Sequence, residues 1–517
     1  MKISGLRSIF VAAVILGITC SCQKEEDFSP QNDNFLSENE MQGMTKLGRQ
    51  LENPYSVENM RKAYENLKSS NVNGRINGDE IEISTTHYYI KFKPKNEEEL
   101  SILKRDSTLI LFEYPLDYEI IEAGTHFYDP SVPLGAPTFQ YVSLPIDKRI
   151  PDEVDYEILE NLFIPDEEKD SSLPNGRIAS PELIDLLVEE SLRLTGNLDD
   201  SENSSNARVQ SSSWRPAGRI QLFDDELGRL VGVHGVKVRA RRWFTTHEGF
   251  TDINGNFTCN GTFKRDANYS IPWERYDFDI RSGSLGQAVY DGPKMEGNWN
   301  LEIRGGASRM YAIVFQACHD YYYGNRLGLK SPPQNSFWKT AVKISVWDEP
   351  NPDANGSHCK DCRFLGISSR IRIYNNVGGN SMAIYATTIH ELAHASHWEL
   401  RRNNWNDNNT ESKVKESWAR GVQWALGRLR YPNYRGGPTI RPDYTQVVVD
   451  MIDPNFPSIF ANENFGLWND NVTGYTIKQI EDVLSNTSTW QDWENNIRNN
   501  YNNATEGNLQ ALFTHWN

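Results

Sequence analysis

The five residues His390-Glu391-Leu392-Ala393-His394 constrain this chain more than any other stretch. On a helix, residues four apart lie on one face one turn apart, so a helical segment here brings the two histidines together. Its surroundings agree. Met382, Tyr385, Ile389, Leu392 and Ser396 recur at helical spacing and give an inner face. Ser381 is placed to cap the helix and Arg401-Arg402 to end it. Ala386, Ala393 and Ala395 keep it slim beside the histidines. Two imidazoles so arranged can share one Zn²⁺. Glu391, one step round the helix, reaches a water beside the metal rather than the metal, which makes it a candidate general base.

Such a zinc needs a third protein ligand and an open position. A histidine six residues beyond His394 is absent, because Leu400 stands there, and His397 approaches only awkwardly. Glu416, within Val414-Lys415-Glu416-Ser417-Trp418-Ala419-Arg420, is the better candidate. The segment reads as a second helix to about Leu429, with Val414, Trp418, Ala425 and Leu429 on one face. Small Ala419 would let it approach the first helix.

On these residues the chain resembles the zincin metallopeptidases, in their glutamate-zincin (gluzincin) branch. There HExxH is followed, some twenty or more residues on, by a helix with a glutamate ligand, often as E-G/S-W/F-A. The resemblance covers about residues 365–430. It implies zinc held by His390, His394 and Glu416, with Glu391 as the base. Many members carry an acid one turn after the glutamate ligand to orient a zinc histidine; here Arg420 stands at that position. Asp450, Asp453 and Glu399 are the candidate replacements. The resemblance further implies an edge strand that pairs with extended substrate, for which Ser368–Tyr374 alternates suitably. It implies a downstream Tyr or His to stabilise the oxyanion. Tyr444, Tyr475 and His515 qualify, and Tyr475 is favoured because Gly474 before it suggests a presenting turn.

The N-terminus bears on location. Lys2 and Arg7 precede a short apolar run, Ile9 to Ile18, too short to span a bilayer. Thr19-Cys20-Ser21-Cys22 follows, then Gln-Lys-Glu-Glu-Asp. This resembles a lipoprotein signal with Cys22 as the acylated residue, and the acidic run resembles the surface-export signal of Bacteroidetes lipoproteins. It implies a lipid anchor in a bacterial outer membrane, at the cell surface or the periplasmic face. The net charge of −17 is unevenly spread: residues 1–200 hold 19 basic and 37 acidic side chains, the remainder 34 and 33. No basic stripe appears, which speaks against nucleic acid as a partner.

Beyond the signal remain Cys259, Cys318, Cys359 and Cys362. Local disulfides are the expected state in an oxidising envelope, with a metal or redox role for the CxxC pair as the alternative. The expected fold is a multidomain α+β chain. Residues 1–22 are the signal and lipobox, and 23–84 a tether with a helix from about Ser56 to Lys68. Residues 85–200 form an acidic α+β module, either a propeptide over the cleft or an accessory domain. Its predicted elements are His87–Lys93, Glu97–Arg105, a strand at Thr108–Glu113 and a helix from Pro181 to Thr195. A linker spans 201–214. Residues 215–285 resemble the regulatory-like β-sandwich found beside carboxypeptidases, through Ala217–Phe223, Val236–Ala240 and an Asn-Gly turn at 254–255. Residues 300–517 are the zincin-like domain, with strands expected near Ala312–Phe315 and at Val342–Trp347. The function implied is hydrolysis of protein or peptide by zinc-activated water, most simply by an endopeptidase. The readings kept beside it are a non-catalytic surface protein binding a glycan or host protein, and a zinc hydrolase acting on cell-wall peptide.

Overall fold

The structure, a computed structural model, describes residues 43–70, 81–133, 136–165, 181–198, 213–283, 286–336, 339–352, 354–359, 370–376, 378–401, 409–436, 442–453 and 471–517. It is a mixed α+β chain with several separate sheets. The signal segment with Cys22, most of the 201–214 linker and Cys362 lie outside the described residues, and no helix within them is long and apolar enough to cross a membrane.

The N-terminal part runs β1 (Lys46–Gln50), α1 (Val57–Ser69), β2 (His87–Phe92), α2 (Glu97–Arg105), β3 (Tyr118–Glu122), β4 (Gln140–Pro145), β5 (Tyr156–Leu162) and α3 (Pro181–Leu194). Ser56 caps α1 by accepting from Asn59 N–H, and Asn96 caps α2 through Glu99 N–H. Strands β4, β2 and β5 form an antiparallel sheet, and β1 pairs with β3. Leu103 of α2 packs on Ile90, Phe92 and Val142 of the sheet. The strand expected at Thr108–Glu113 does not form; Phe112 alone bridges to Tyr141. Leu111 gives its carbonyl to Arg239 instead of to a neighbouring strand.

Next come β6 (Ala217–Asp224), β7 (Arg229–Gly232), β8 (Lys237–Arg242), β9 (Thr245–Phe250), β10 (Asn256–Thr258), β11 (Ala267–Pro272), β12 (Phe278–Ser282), β13 (Val289–Met295) and β14 (Trp299–Ile303). Two sheets, β10-β6-β14 with β7 on β6, and β13-β11-β8-β9, share a core of Ile220, Leu222, Val238, Phe257, Tyr269 and Trp299. Strand pairing departs from the boundary expected at 285–300. β12 leaves the sandwich for the following sheet, while β13 and β14 return to it.

The C-terminal part contains α4 (Gly306–Tyr323), β15 (Val342–Trp347), β16 (Gly356–Cys359), β17 (Arg370–Tyr374), α5 (Ser381–Arg401), α6 (Ser412–Arg430), α7 (Val447–Ile452), α8 (Ile477–Asp482), α9 (Trp490–Asn500) and α10 (Leu509–His515). Its sheet order is β12-β15-β17-β16, parallel except for antiparallel β16 at one edge. The Ala312–Phe315 run, expected as a strand, lies in the middle of α4. That helix is buried almost all round, from Met310 to Tyr322, so its sequence shows no amphipathic period to separate helix from strand. One continuous apolar core joins the sandwich, this sheet and the helices.

The N-terminal part is docked firmly on the rest. The turn between β8 and β9 inserts Phe244 among N-terminal rings, 4.9 Å from Tyr89 and 6.3 Å from Tyr55 between centroids. Lys264 pairs with Asp185 at 2.6 Å, and Lys104 reaches both Glu274 and Asp279.

Candidate metal centre

Helix α5 carries the two histidines. Its cap is Asn380, whose side chain accepts from Ala383 N–H at 2.8 Å, rather than Ser381 as the sequence suggests. Ser381 serves elsewhere: its N–H bonds Asp225 at 2.8 Å, and its hydroxyl accepts from Arg309, which also pairs with Asp225. Asp225 lies in the turn after β6, so the sandwich anchors the start of α5 and sets an acid at its positive end. Burial would raise the Asp225 carboxyl, but the bonds from Ser381 and the charge of Arg309 hold it below the ordinary aspartate value.

Helix α6 lies alongside α5, with Ala419 and Trp418 in the shared core. Leu429, expected on the inner face, is half exposed in the last turn. The helix pair brings together the three residues singled out from sequence as ligands. His390 Nε2 and His394 Nε2 stand 3.1 Å apart, and Glu416 Oε2 lies 3.1 Å from the first and 3.2 Å from the second. A tetrahedral ion held at about 2.0–2.1 Å by N and O donors separates them by roughly 3.3 Å, so this triangle needs only slight expansion. All three are buried and offer their donor atoms to one point; no other such group of three occurs among the described residues. Burial alone would push the Glu416 carboxyl up. The two histidines against it overcome that and hold it well below the usual carboxylate range.

The residue orienting His390 is one that sequence reasoning missed. Gln423, two turns beyond Glu416 on α6, places Oε1 3.3 Å from His390 Nδ1. Were Nε2 to hold a metal, Nδ1 would carry the proton and donate to this amide. The seven-residue spacing from Glu416 was the available signal, since it returns to the same helix face. Two of the acids considered for this task have partners elsewhere: Asp450 accepts from Trp516 Nε1 at 2.7 Å, and Glu399 pairs with Lys339.

Glu391 is buried beside the triad, facing β16. A Cβ on Gly356 would sit 3.0 Å from both Cγ and Oε1 of Glu391 and 2.8 Å from Thr387 Cγ2, so only glycine lets the strand lie this close. The strand expected at the sheet edge, Arg370–Tyr374, is instead interior, and β16 is the edge. The order of strands in a parallel sheet is set by distant segments, which the alternation of one strand does not report.

The tyrosine favoured from sequence is displaced as well. Tyr475 is buried in C-terminal packing, its N–H on Met451 O and its hydroxyl raised to about 12 by burial, with Glu506 and Arg498 the nearby charges. His515 packs edge-on to Trp516. The structure brings Tyr444 to the triad, its ring nearly parallel to the His390 imidazole with centroids 6.1 Å apart. Cys259 and Cys318 are buried and unpaired, contrary to the disulfides expected of them. His319, the neighbour of Cys318, meets the His234 ring at a tilt with centroids 4.4 Å apart, and belongs to no metal-ligating group among the described residues.

No protein-family model, curated protein or solved structure matches this chain.

Proposed function

We propose that this protein is a zinc-dependent metallopeptidase with a zincin-like C-terminal domain, cleaving within extended peptide chains. The observation that carries the reading is the buried triangle of His390, His394 and Glu416 donor atoms with Glu391 beside it. Zinc held there supplies a Lewis acid for the scissile carbonyl and lowers the pKa of water. Glu391 takes the proton from the attacking water and passes it to the leaving amine, so no acyl-enzyme is needed. The Tyr444 hydroxyl, on the His390 side, is the donor for the developing oxyanion. Gln423 fixes the His390 tautomer. Strand β16, at the edge of its sheet among the described residues, offers main-chain groups to an extended substrate, which favours cleavage inside a chain over cleavage at its end.

The N-terminal module acts in this reading as a permanent accessory domain, since an aromatic plug and paired charges hold it. The Cys22 segment supports lipid anchoring at the outer membrane, with the folded part outside the bilayer. Incubation of zinc-loaded residues 23–517 with unstructured casein tests the activity. Wild type is expected to degrade it, and Glu391→Gln to lose about 10²–10⁴-fold in rate while retaining its metal. Equal cleavage by the two proteins removes Glu391 as base. No cleavage by either favours the binding-protein reading.

A further inference from the structure

The helix that supplies Glu416 also holds the segment bearing Tyr444. Ser417, next after Glu416, is fully buried and uses its whole hydrogen-bonding capacity on that segment. Its hydroxyl donates to Asp443 O at 3.1 Å and accepts from Thr445 N–H at 3.2 Å and Thr445 Oγ1 at 2.8 Å. One turn on, buried Arg420 donates from Nη1 to Tyr444 O at 3.2 Å. Main-chain groups before, at and after Tyr444 are thereby tied to α6. Gly421 closes the fit: a Cβ there would lie 2.3 Å from Val448 Cγ1, so the start of α7 rests directly on α6. Arg420 is the residue that departs from the resembled pattern. A guanidinium suits a carbonyl such as that of Tyr444, and does not suit the imidazole N–H that an acid would orient.

Resting on the metallopeptidase reading, we propose that Ser417 and Arg420 are positioning residues for Tyr444, holding its ring against His390 and its hydroxyl on the oxyanion side. They touch neither metal nor substrate and act through the Tyr444 backbone.

The test uses the full mature chain as wild type, Ser417→Ala, Arg420→Ala, Arg420→Lys, Tyr444→Phe and the Arg420→Ala/Tyr444→Phe double variant. With a casein-derived fluorogenic peptide, Tyr444→Phe should lower kcat about 10²-fold. Arg420→Ala should lower it about 10-fold or more with KM and zinc content unchanged, and Arg420→Lys should recover part of the loss. In the Tyr444→Phe background, Arg420→Ala should cost less than about 2-fold further. A full additional loss there overturns the proposal. The second readout needs neither metal nor activity. In metal-free protein labelled at histidine Cε1, the ring-current shift of His390 is identified by its loss in Tyr444→Leu. Arg420→Ala and Ser417→Ala should move that resonance toward the Tyr444→Leu position; an unmoved resonance in both overturns the clamp. If zinc-loaded wild type fails to cleave, the peptidase reading falls, and the resonance still decides whether the clamp exists.

Discussion

Two buried polar clusters in this molecule are built on opposite plans. Where the N-terminal module meets the sandwich, each charge faces its opposite: Lys104 meets Glu274 and Asp279, Asp279 meets Arg281, and Arg239 meets Glu248. Burial by itself would raise the Glu274 carboxyl, but Lys104, Lys237 and Arg239 hold it far below the usual range. Between α5 and α6, by contrast, three electron-pair donors face one another across 3.1–3.2 Å. The first cluster is held by opposite charges, with Asp279 Oδ1 and the Nε and Nη2 of Arg281 left without a hydrogen-bond partner. The second has the geometry of a ligand set, because two Nε2 atoms in contact are complementary only when a proton or a metal lies between them. Burial and polarity alone therefore do not mark a site; what distinguishes the two is whether opposite charges or like donors face one another.

That contrast can be broken most directly at Lys104. Replacing it with Met takes one cation from Glu274 and Asp279, which keep Lys237, Arg239 and Arg281, and unfolding free energy should fall by about 3 kcal/mol, the upper end for a hydrogen bond to a charged group, with zinc content unchanged. Chemical denaturation of wild type and variant measures it; a loss of zinc without loss of stability would reverse the roles of the two clusters. A smaller effect is expected at Gln423→Ala. Removing the partner of His390 Nδ1 should weaken zinc binding by about 10–100-fold, read by competition with a chelator, and leave the melting of metal-free protein nearly unchanged. Unaltered affinity would show that His390 needs no partner on α6. The smallest is Asp225→Asn, which removes an acid from the start of α5 and should cost about 0.3–1 kcal/mol near neutral pH. The folded-state pKa of Asp225 is lowered, so its contribution is present above the ordinary aspartate pKa of 3.8 and fades as pH falls through the lower folded value. The difference between wild type and variant should therefore shrink on acidification; a difference that grows would contradict the assigned pairing.

Parts of the site governed by local spacing were legible in the sequence. Histidines four apart, a glutamate between them and Glu416 on a second amphipathic segment need only helix geometry to be placed on facing surfaces. Helix α2, Glu97–Arg105, was readable for the same reason, through its cap and its period. Features fixed by distant contacts were not. Tyr444 and Tyr475 both follow turn-forming residues, and only the hydrogen bonds from Ser417 and Arg420 separate them. Strand β16 becomes an edge because β17 lies inside the sheet, and β12 changes sheets because β15 offers it a parallel partner. The role of the sandwich in seating α5 rests on Asp225, an ordinary turn residue until Ser381 and Arg309 are set beside it.

The most direct test of the metal centre is zinc per chain, by elemental mass spectrometry, in residues 23–517 and in Glu416→Ala. One zinc per wild-type chain, lost or loosened in the variant, is the predicted result. Zinc bound equally by both proteins, or by neither after zinc is added back, would contradict a His390–His394–Glu416 centre.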